Sequence, residues 1–224
     1  MNQRSVIFLI VLFIGTVLNL NVAGQMRSIT ASQYRRAENT AWTNQESRSR
    51  RIRRTEHYFK LGKLTSDEMI LMEYVVPDRR RTVHTTRIGN KVETKETIEI
   101  GAQTYCRSGI KTWSTDCHSM LTGLDVPMET VYDYSYLQTA NNGQTINLFR
   151  KYGTYKNTDA RNADENGIMF VEWNLSLTDD ALFMKIEFHH GYVGSNKWEA
   201  KTEQVWEYDP KGLKIDAPIN RKRR

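Results

Sequence analysis

Met72-Glu73-Tyr74-Val75-Val76-Pro77-Asp78-Arg79, running on through Gly89-Asn90 to Glu96-Thr97-Ile98-Glu99-Ile100-Gly101, reads as three β-strands in succession. The first strand begins upstream, at Met69-Ile70-Leu71. It is apolar at both parities, the pattern of a central strand covered on both faces. Pro77 ends it, because proline lacks the N–H a ladder needs and biases its predecessor to extended geometry. Gly89-Asn90 is a turn signal. The strand after it sets Val92, Ile98 and Ile100 on one face against Lys91, Glu93, Lys95 and Glu99 on the other, as in a sheet with one wet side.

Outward from this stretch the period of two recurs. Met169, Val171, Trp173, Leu175 and Leu177 alternate with Glu172, Asn174 and Ser176. Leu182, Met184, Ile186 and Phe188 alternate with Lys185 and Glu187, and Tyr132, Tyr134 and Tyr136 share a parity, as do Trp206 and Tyr208. Turn clusters separate the runs, among them Asn141-Asn142-Gly143 and the segment 162–167. Between strands the chain lacks the helical spacing that a parallel sheet requires, so an antiparallel sheet is predicted. One helix precedes it: Thr30 with Gln33 makes a capping pair, and Tyr34, Ala37, Ala41 and Trp42 repeat at helical spacing. The arginines from Arg48 to Arg54 surround a single Ile52 and read as a solvated edge strand, charge being a guard against edge pairing. Residues 114–130, with Met120, Leu121, Leu124 and Pro127, suit a short helical lid. The expected class is mainly β (α+β): a curved antiparallel sheet, or half-open β-barrel, with an N-terminal helix and a mid-chain lid. It forms a single domain over 25–220.

The N-terminus has the order of a secretory signal peptide: Arg4, then the apolar run from Val6 to Ile14, then Val22-Ala23-Gly24 as a cleavage site. The run is short for a membrane span, which needs roughly 20 residues. Cleavage after Gly24 places the mature chain in a periplasmic or secreted compartment; the other outcome is an uncleaved anchor. The formal net charge of +6 is largely terminal, since Arg221-Lys222-Arg223-Arg224 carry four of the positive charges and Arg4 one more. The remaining body is near neutral, and aromatic residues that could stack bases are not interleaved with the arginine run, so nucleic acid is not an expected partner. Cys106 and Cys117 in a secreted chain point to a disulfide clamping the turn around Gly109, worth about 3 kcal/mol on a chain-entropy argument.

With the words Glu73-Tyr74-Val75-Val76-Pro77-Asp78-Arg79, Ile98-Glu99-Ile100-Gly101, Tyr105, Trp113 and Leu213-Lys214-Ile215-Asp216-Ala217-Pro218-Ile219, the chain resembles the LolA/LppX-like superfamily of bacterial envelope proteins over nearly its whole mature length. The resemblance implies an incomplete barrel whose concave apolar face is closed by helices. It also implies members that bind lipoprotein acyl chains or free lipids, some of them sensing envelope stress. The shared words mark strand ends and turns, and none maps a family ligand residue onto this chain.

A half-closed sheet with an apolar concavity needs large, adaptable inward side chains. The candidate lining is Met69, Val92, Ile98, Ile100, Met169, Val171, Trp173, Leu175, Met184, Ile186, Phe188, Trp206 and Tyr208. Each has a plainer reading as core, and only an unfilled concavity makes them a binding surface. His189 and His190 point to opposite faces of a strand and cannot share a metal there. His57, His84 and His118 stand alone, so neither metal nor cofactor is expected. Nucleophile elbows, phosphate loops and zinc motifs are missing, and Asp164-Glu165 and Asp179-Asp180 sit in polar loops, which argues against an extracellular hydrolase. The leading expectation is a non-enzymatic envelope protein carrying a lipid, acyl chain or other hydrophobic ligand, peripheral to the membrane. The alternative is a protein-interaction or envelope-stress sensor module on the same fold with a filled cavity.

Overall fold

A computed structural model describes residues 25–60, 62–117, 130–156, 167–194 and 198–218. The leader, the basic tail, residues 118–129 of the expected lid and most of the turn at 162–167 lie outside the described residues. Among the described residues no helix is long and apolar enough to cross a membrane.

The elements are β1 (Arg27–Ser28), α1 (Ala31–Glu46), β2 (Arg50–Lys60), β3 (Lys63–Val75), β4 (Arg79–Ile88), β5 (Lys91–Ile100), β6 (Gln103–Ser108), β7 (Val131–Asn141), β8 (Gln144–Lys156), β9 (Ile168–Leu177), β10 (Phe183–Tyr192) and β11 (Trp198–Tyr208). The strands form one antiparallel, curved, open sheet of eleven in the order β1-β7-β8-β9-β10-β11-β2-β3-β4-β5-β6. Two five-stranded meanders, β2 to β6 and β7 to β11, are thus joined through the β11–β2 ladder, which pairs Trp206 with Ile52. The Asn142-Gly143 turn has both residues at positive φ, which matches the right-handed twist of the strands it joins.

α1 starts as the capping pair predicts. The Thr30 hydroxyl accepts the Gln33 N–H at 3.2 Å, and the Gln33 side chain accepts the Thr30 N–H at 2.8 Å. Tyr34, Ala41 and Gln45 form its buried face. Tyr34 packs on Tyr134 and Trp42 meets Phe183 edge-on at 4.8 Å. The buried Trp206 indole donates to the Gln45 side chain at 3.0 Å, and Arg50 donates to the Gln45 carbonyl while lying over the Tyr74 ring. The helix is therefore fixed over β7, β10, β11 and β2.

Directly opposed residues share a face and neighbours along a strand alternate, so the registers assign every side chain to a side. Trp206, Ile52, Met72, Thr82, Thr97 and Cys106 run in line on the helix-bearing face. Their neighbours Glu207, Arg51, Glu73, Arg81, Ile98 and Tyr105 occupy the opposite face.

Two expectations are corrected here. The Arg48–Arg54 segment is not an edge: β2 lies between β11 and β3. Arg51 donates to Glu207 at 3.0 Å and to Glu73 at 2.9 Å, Arg81 reaches Glu73 at 3.0 Å and Glu96 at 2.7 Å, and Arg107 closes on Glu96 at 2.8 Å. This ladder of alternating charge crosses from β11 to β6 and ends with Arg107 over the Trp113 ring. The β3 strand is also not covered on both faces. Met69 is 61% exposed, and the buried residue on that side is Glu73, held between two arginines. The edges are instead β1, two residues long, and β6, beside which Ser114 makes an isolated bridge to Cys106. Cys117 closes the bridge to Cys106 with a Cα–Cα separation of 5.8 Å.

Candidate functional site on the helix-bearing face

The helix-bearing face has two halves. On β7 to β11 and β2 it is a floor of aromatic and aliphatic side chains. Phe183 and Trp206 stack at 5.1 Å, Trp173 packs on Phe188 at 5.0 Å, and Tyr132 meets Trp173 at 5.8 Å. Leu175, Leu177, Phe183 and Val171 are essentially without solvent contact. Gly153 is what lets β7 lie down on this floor: a Cβ there would stand 2.7 Å from both Thr130 and the Tyr132 ring.

Of the residues predicted to line a cavity, Met169, Val171, Trp173, Leu175, Ile186, Phe188, Trp206 and Tyr208 are gathered on this face. Met69, Val92, Ile98 and Ile100 lie on the other face and do not join them. Met184 falls at the register shift between Phe183 and Lys185, outside the paired positions. The bulge brings Phe183 inward in its place. A strict count of two from Leu182 selects Met184 and misses Phe183. Trp173, Ile186, Met184, Tyr208 and Ile100 keep partial exposure, whereas Val92 is 59% exposed.

Ionisable groups interrupt the aromatic floor: on β2 the buried Glu56 takes Arg54 and the Tyr58 hydroxyl, and on β8 and β10 lie Lys151, Tyr155 and His190. The Lys151 ammonium lies 4.1 Å from the Tyr132 ring centre and 4.4 Å from that of Trp173. Burial lowers its pKa, with Glu38 of α1 partly opposing and Arg35 adding to the effect. Burial likewise raises the Glu38 carboxyl, against Lys151 and Arg35. Deeper on the face, Tyr155 and His190 share a 2.6 Å hydrogen bond, and the other ring nitrogen of His190, Nδ1, is buried with no partner. Burial pushes that imidazole below its ordinary value. None of these groups carries a motif. Lys151 was nonetheless visible as the one charge among Phe149, Gly153 and Tyr155 at a single parity.

On β4 to β6 the same face is polar. A depression of about 640 Å3 lies there, walled by the disulfide and the loop it closes. Arg80, His84, Lys95 and Glu99 point into it from the strands, and Lys111 and Asp116 from the loop. His84 is tied to Glu68 at 2.7 Å and Arg80 approaches Glu99 at 3.7 Å, so much of this charge is internally matched. The opposite face carries the charge ladder together with scattered apolar residues such as Ile98 and the stacked Tyr152 and Phe170. There Glu172 takes His189 and Arg150, and the hydrogen bond from His189 first, then the Arg150 charge, holds its carboxyl below the usual range against burial.

No family model matches the chain and no curated protein matches it. Among solved structures it is similar to a domain from Vibrio parahaemolyticus named for outer membrane lipoprotein sorting, at 11% identity and a TM-score of 0.30, over 83% of this chain and 95% of that one.

Proposed function

We propose that this is a non-enzymatic protein of the bacterial envelope that binds or carries a lipid, an acyl chain or another amphiphile against the helix-bearing face. The observation that carries the reading is the division of that face. One continuous set of ladders passes from an aromatic floor to a polar depression, the arrangement an amphiphile needs for its two ends. Trp173, Ile186 and Tyr208, still partly exposed, are the proposed apolar contacts. The envelope location rests on the leader-like N-terminus and the family resemblance. Native mass spectrometry and lipid extraction after mild purification, with a fluorescent fatty-acid probe, test it. Recovery of a bound amphiphile and probe binding are expected; failure of all three overturns the reading.

A second reading has its own support. Val171, Leu175 and Phe183 are buried as completely as any core residue, which favours a filled face and an interaction or stress-sensor module. A partner recovered by pull-down from a purified chain that binds no probe would select it.

A further inference from the structure

We infer that the hairpin tips at one end of the β2–β6 meander, opposite the α1–β2 junction, dock on an anionic phospholipid bilayer. The inference stands apart from the amphiphile reading and concerns a different surface of the protein.

The registers gather three tips there. β2 turns into β3 between Lys60 and Lys63, and β4 into β5 between Ile88 and Lys91, while Asp67, Arg87 and Val92 form one row across β3, β4 and β5 just behind both turns. The turn after β6 reaches the same end, its Gly109 N–H donating to the Thr94 carbonyl at 2.7 Å. A Cβ added at Gly89 or Gly109 would meet nothing within 4 Å, so these two tips stand clear of the body.

Each tip carries an aliphatic side chain beside a lysine. Lys63 precedes Leu64, Lys91 precedes Val92 and opposes Ile88, and Ile110 precedes Lys111. Leu64, Ile88 and Val92 are each more than half exposed, and Ile110 is fully exposed. The nearby acids are already occupied, Asp67 by Arg87 at 3.9 Å and Glu93 by Lys95 at 3.3 Å. Among the described residues Lys60, Lys63, Lys91 and Lys111 form no ion pair. The other end of the meander is built differently. There Arg79 meets the Ile215 carbonyl and Asp216, Arg80 meets Glu99, and Val76 is the exposed large apolar side chain.

Clustered exposed apolar side chains mark a surface that meets something less polar than water. Charge and spacing decide what. A protein interface buries a contiguous core from which lysine is depleted, whereas here a lysine stands beside the aliphatic group of every tip. A second copy of this chain, meeting the same patch, would set lysine against lysine. At a bilayer surface, separate aliphatic tips enter between headgroups while lysine stems extend along them to the phosphates. Anionic lipid then supplies the counter-charge that the tips lack. Lys111 also lines the depression, so docking brings the depression beside the lipid.

All the described elements begin after residue 24, so the test uses the purified chain without its leader, whose own apolar run would bind lipid. The chain is sedimented with vesicles of phosphatidylglycerol and phosphatidylethanolamine, and with vesicles of phosphatidylcholine alone. Binding to the first is expected, about tenfold or more tighter than to the second and weakening with added salt. Ile88→Ser with Ile110→Ser should lower it by about tenfold or more at an unchanged melting temperature. Lys63→Gln with Lys91→Gln should remove most of the preference for the anionic vesicle, a second route to the same surface should the first pair disturb the fold. Absence of binding to the anionic vesicles overturns the inference. Binding that survives both pairs of substitutions but disappears on deletion of Arg221–Arg224 assigns it to the basic tail and overturns it too. A dimer in size-exclusion chromatography that these substitutions dissolve makes the rim an interface with a second copy, with the same consequence. The fatty-acid probe reads the amphiphile reading separately: probe binding without vesicle binding removes this inference alone.

Discussion

The β7–β11 half of the sheet and the β2–β6 half are built on different physics. In the first, one face is a buried aromatic floor beneath α1, where Leu177 and Phe183 lose nearly all solvent contact. In the second, the most buried groups include Glu73 and Glu96, and what joins the strands is a ladder of alternating charge. Apolar burial is non-directional and scales with area, so the first half holds most of the stability. Ion pairs are directional and contribute little unless geometrically good, so the second half gains register more than free energy from them. The difference teaches where the molecule can bear a polar depression: on the half that does not depend on that face for its core.

The largest expected effect lies in the first half. Phe183→Ala removes a ring with no exposed surface that is stacked on Trp206 and met edge-on by Trp42. It should cost about 3–5 kcal/mol in urea unfolding. A cost under about 1 kcal/mol would mean that the two halves share the core evenly. Next comes the disulfide in the second half. Cys106→Ser opens the loop walling the depression and should cost about 3 kcal/mol, lowering the melting temperature without abolishing the fold. Equal stability with and without reductant would refute a stabilising role.

Third is the charge ladder. Glu73→Gln takes the anion from between Arg51 and Arg81 and should cost about 1–3 kcal/mol. Burial would raise the neighbouring Glu96 carboxyl, but hydrogen bonds from Arg81 and Arg107 outweigh it and hold the group below its ordinary value. In that window the unfolded chain binds the proton more readily. Stability from Glu96 is therefore complete above about pH 4.5 and is lost as the pH falls through the lower folded value. Glu96→Gln should flatten that acid limb in pH-dependent urea melts.

Much of this was legible in the residues and some of it was not, for definable reasons. The Thr30–Gln33 box, the alternation of β9 and the Asn142-Gly143 turn are local signals, and each formed as read. A period of two, however, orders side chains only within one strand. It leaves open which parity of β3 or β5 shares a side with which parity of β9, because that depends on pairing between strands far apart in the chain. Hence Val92, Ile98 and Ile100 were grouped with Trp173 although the registers put them across the sheet. The arginines of β2 were read as an edge because their partners, Glu73 and Glu207, are supplied by distant segments. Phe183 was hidden by a bulge that shifts the parity of its own strand. Lys151 was passed over because a lone lysine in a strand ordinarily marks a wet face.

The smallest expected effect tests that assignment of faces. Met69 and Met169 are the same residue type in strands of similar alternation, and both were candidates for one apolar lining. Met169 is 4% exposed on the helix-bearing face, whereas Met69 is 61% exposed on the side of the charge ladder. An exposed methionine has already lost most of the contacts that a substitution could remove. Met69→Thr should therefore shift stability by less than about 0.5 kcal/mol and leave binding of a fatty-acid probe unaltered. Met169→Ala, which opens space beside Tyr192 and Tyr155 in the ladder, should cost about 2–5 kcal/mol. If Met69→Thr weakened the probe instead, the ligand would have to lie on the ladder face. The division of the helix-bearing face into floor and depression would then no longer explain binding.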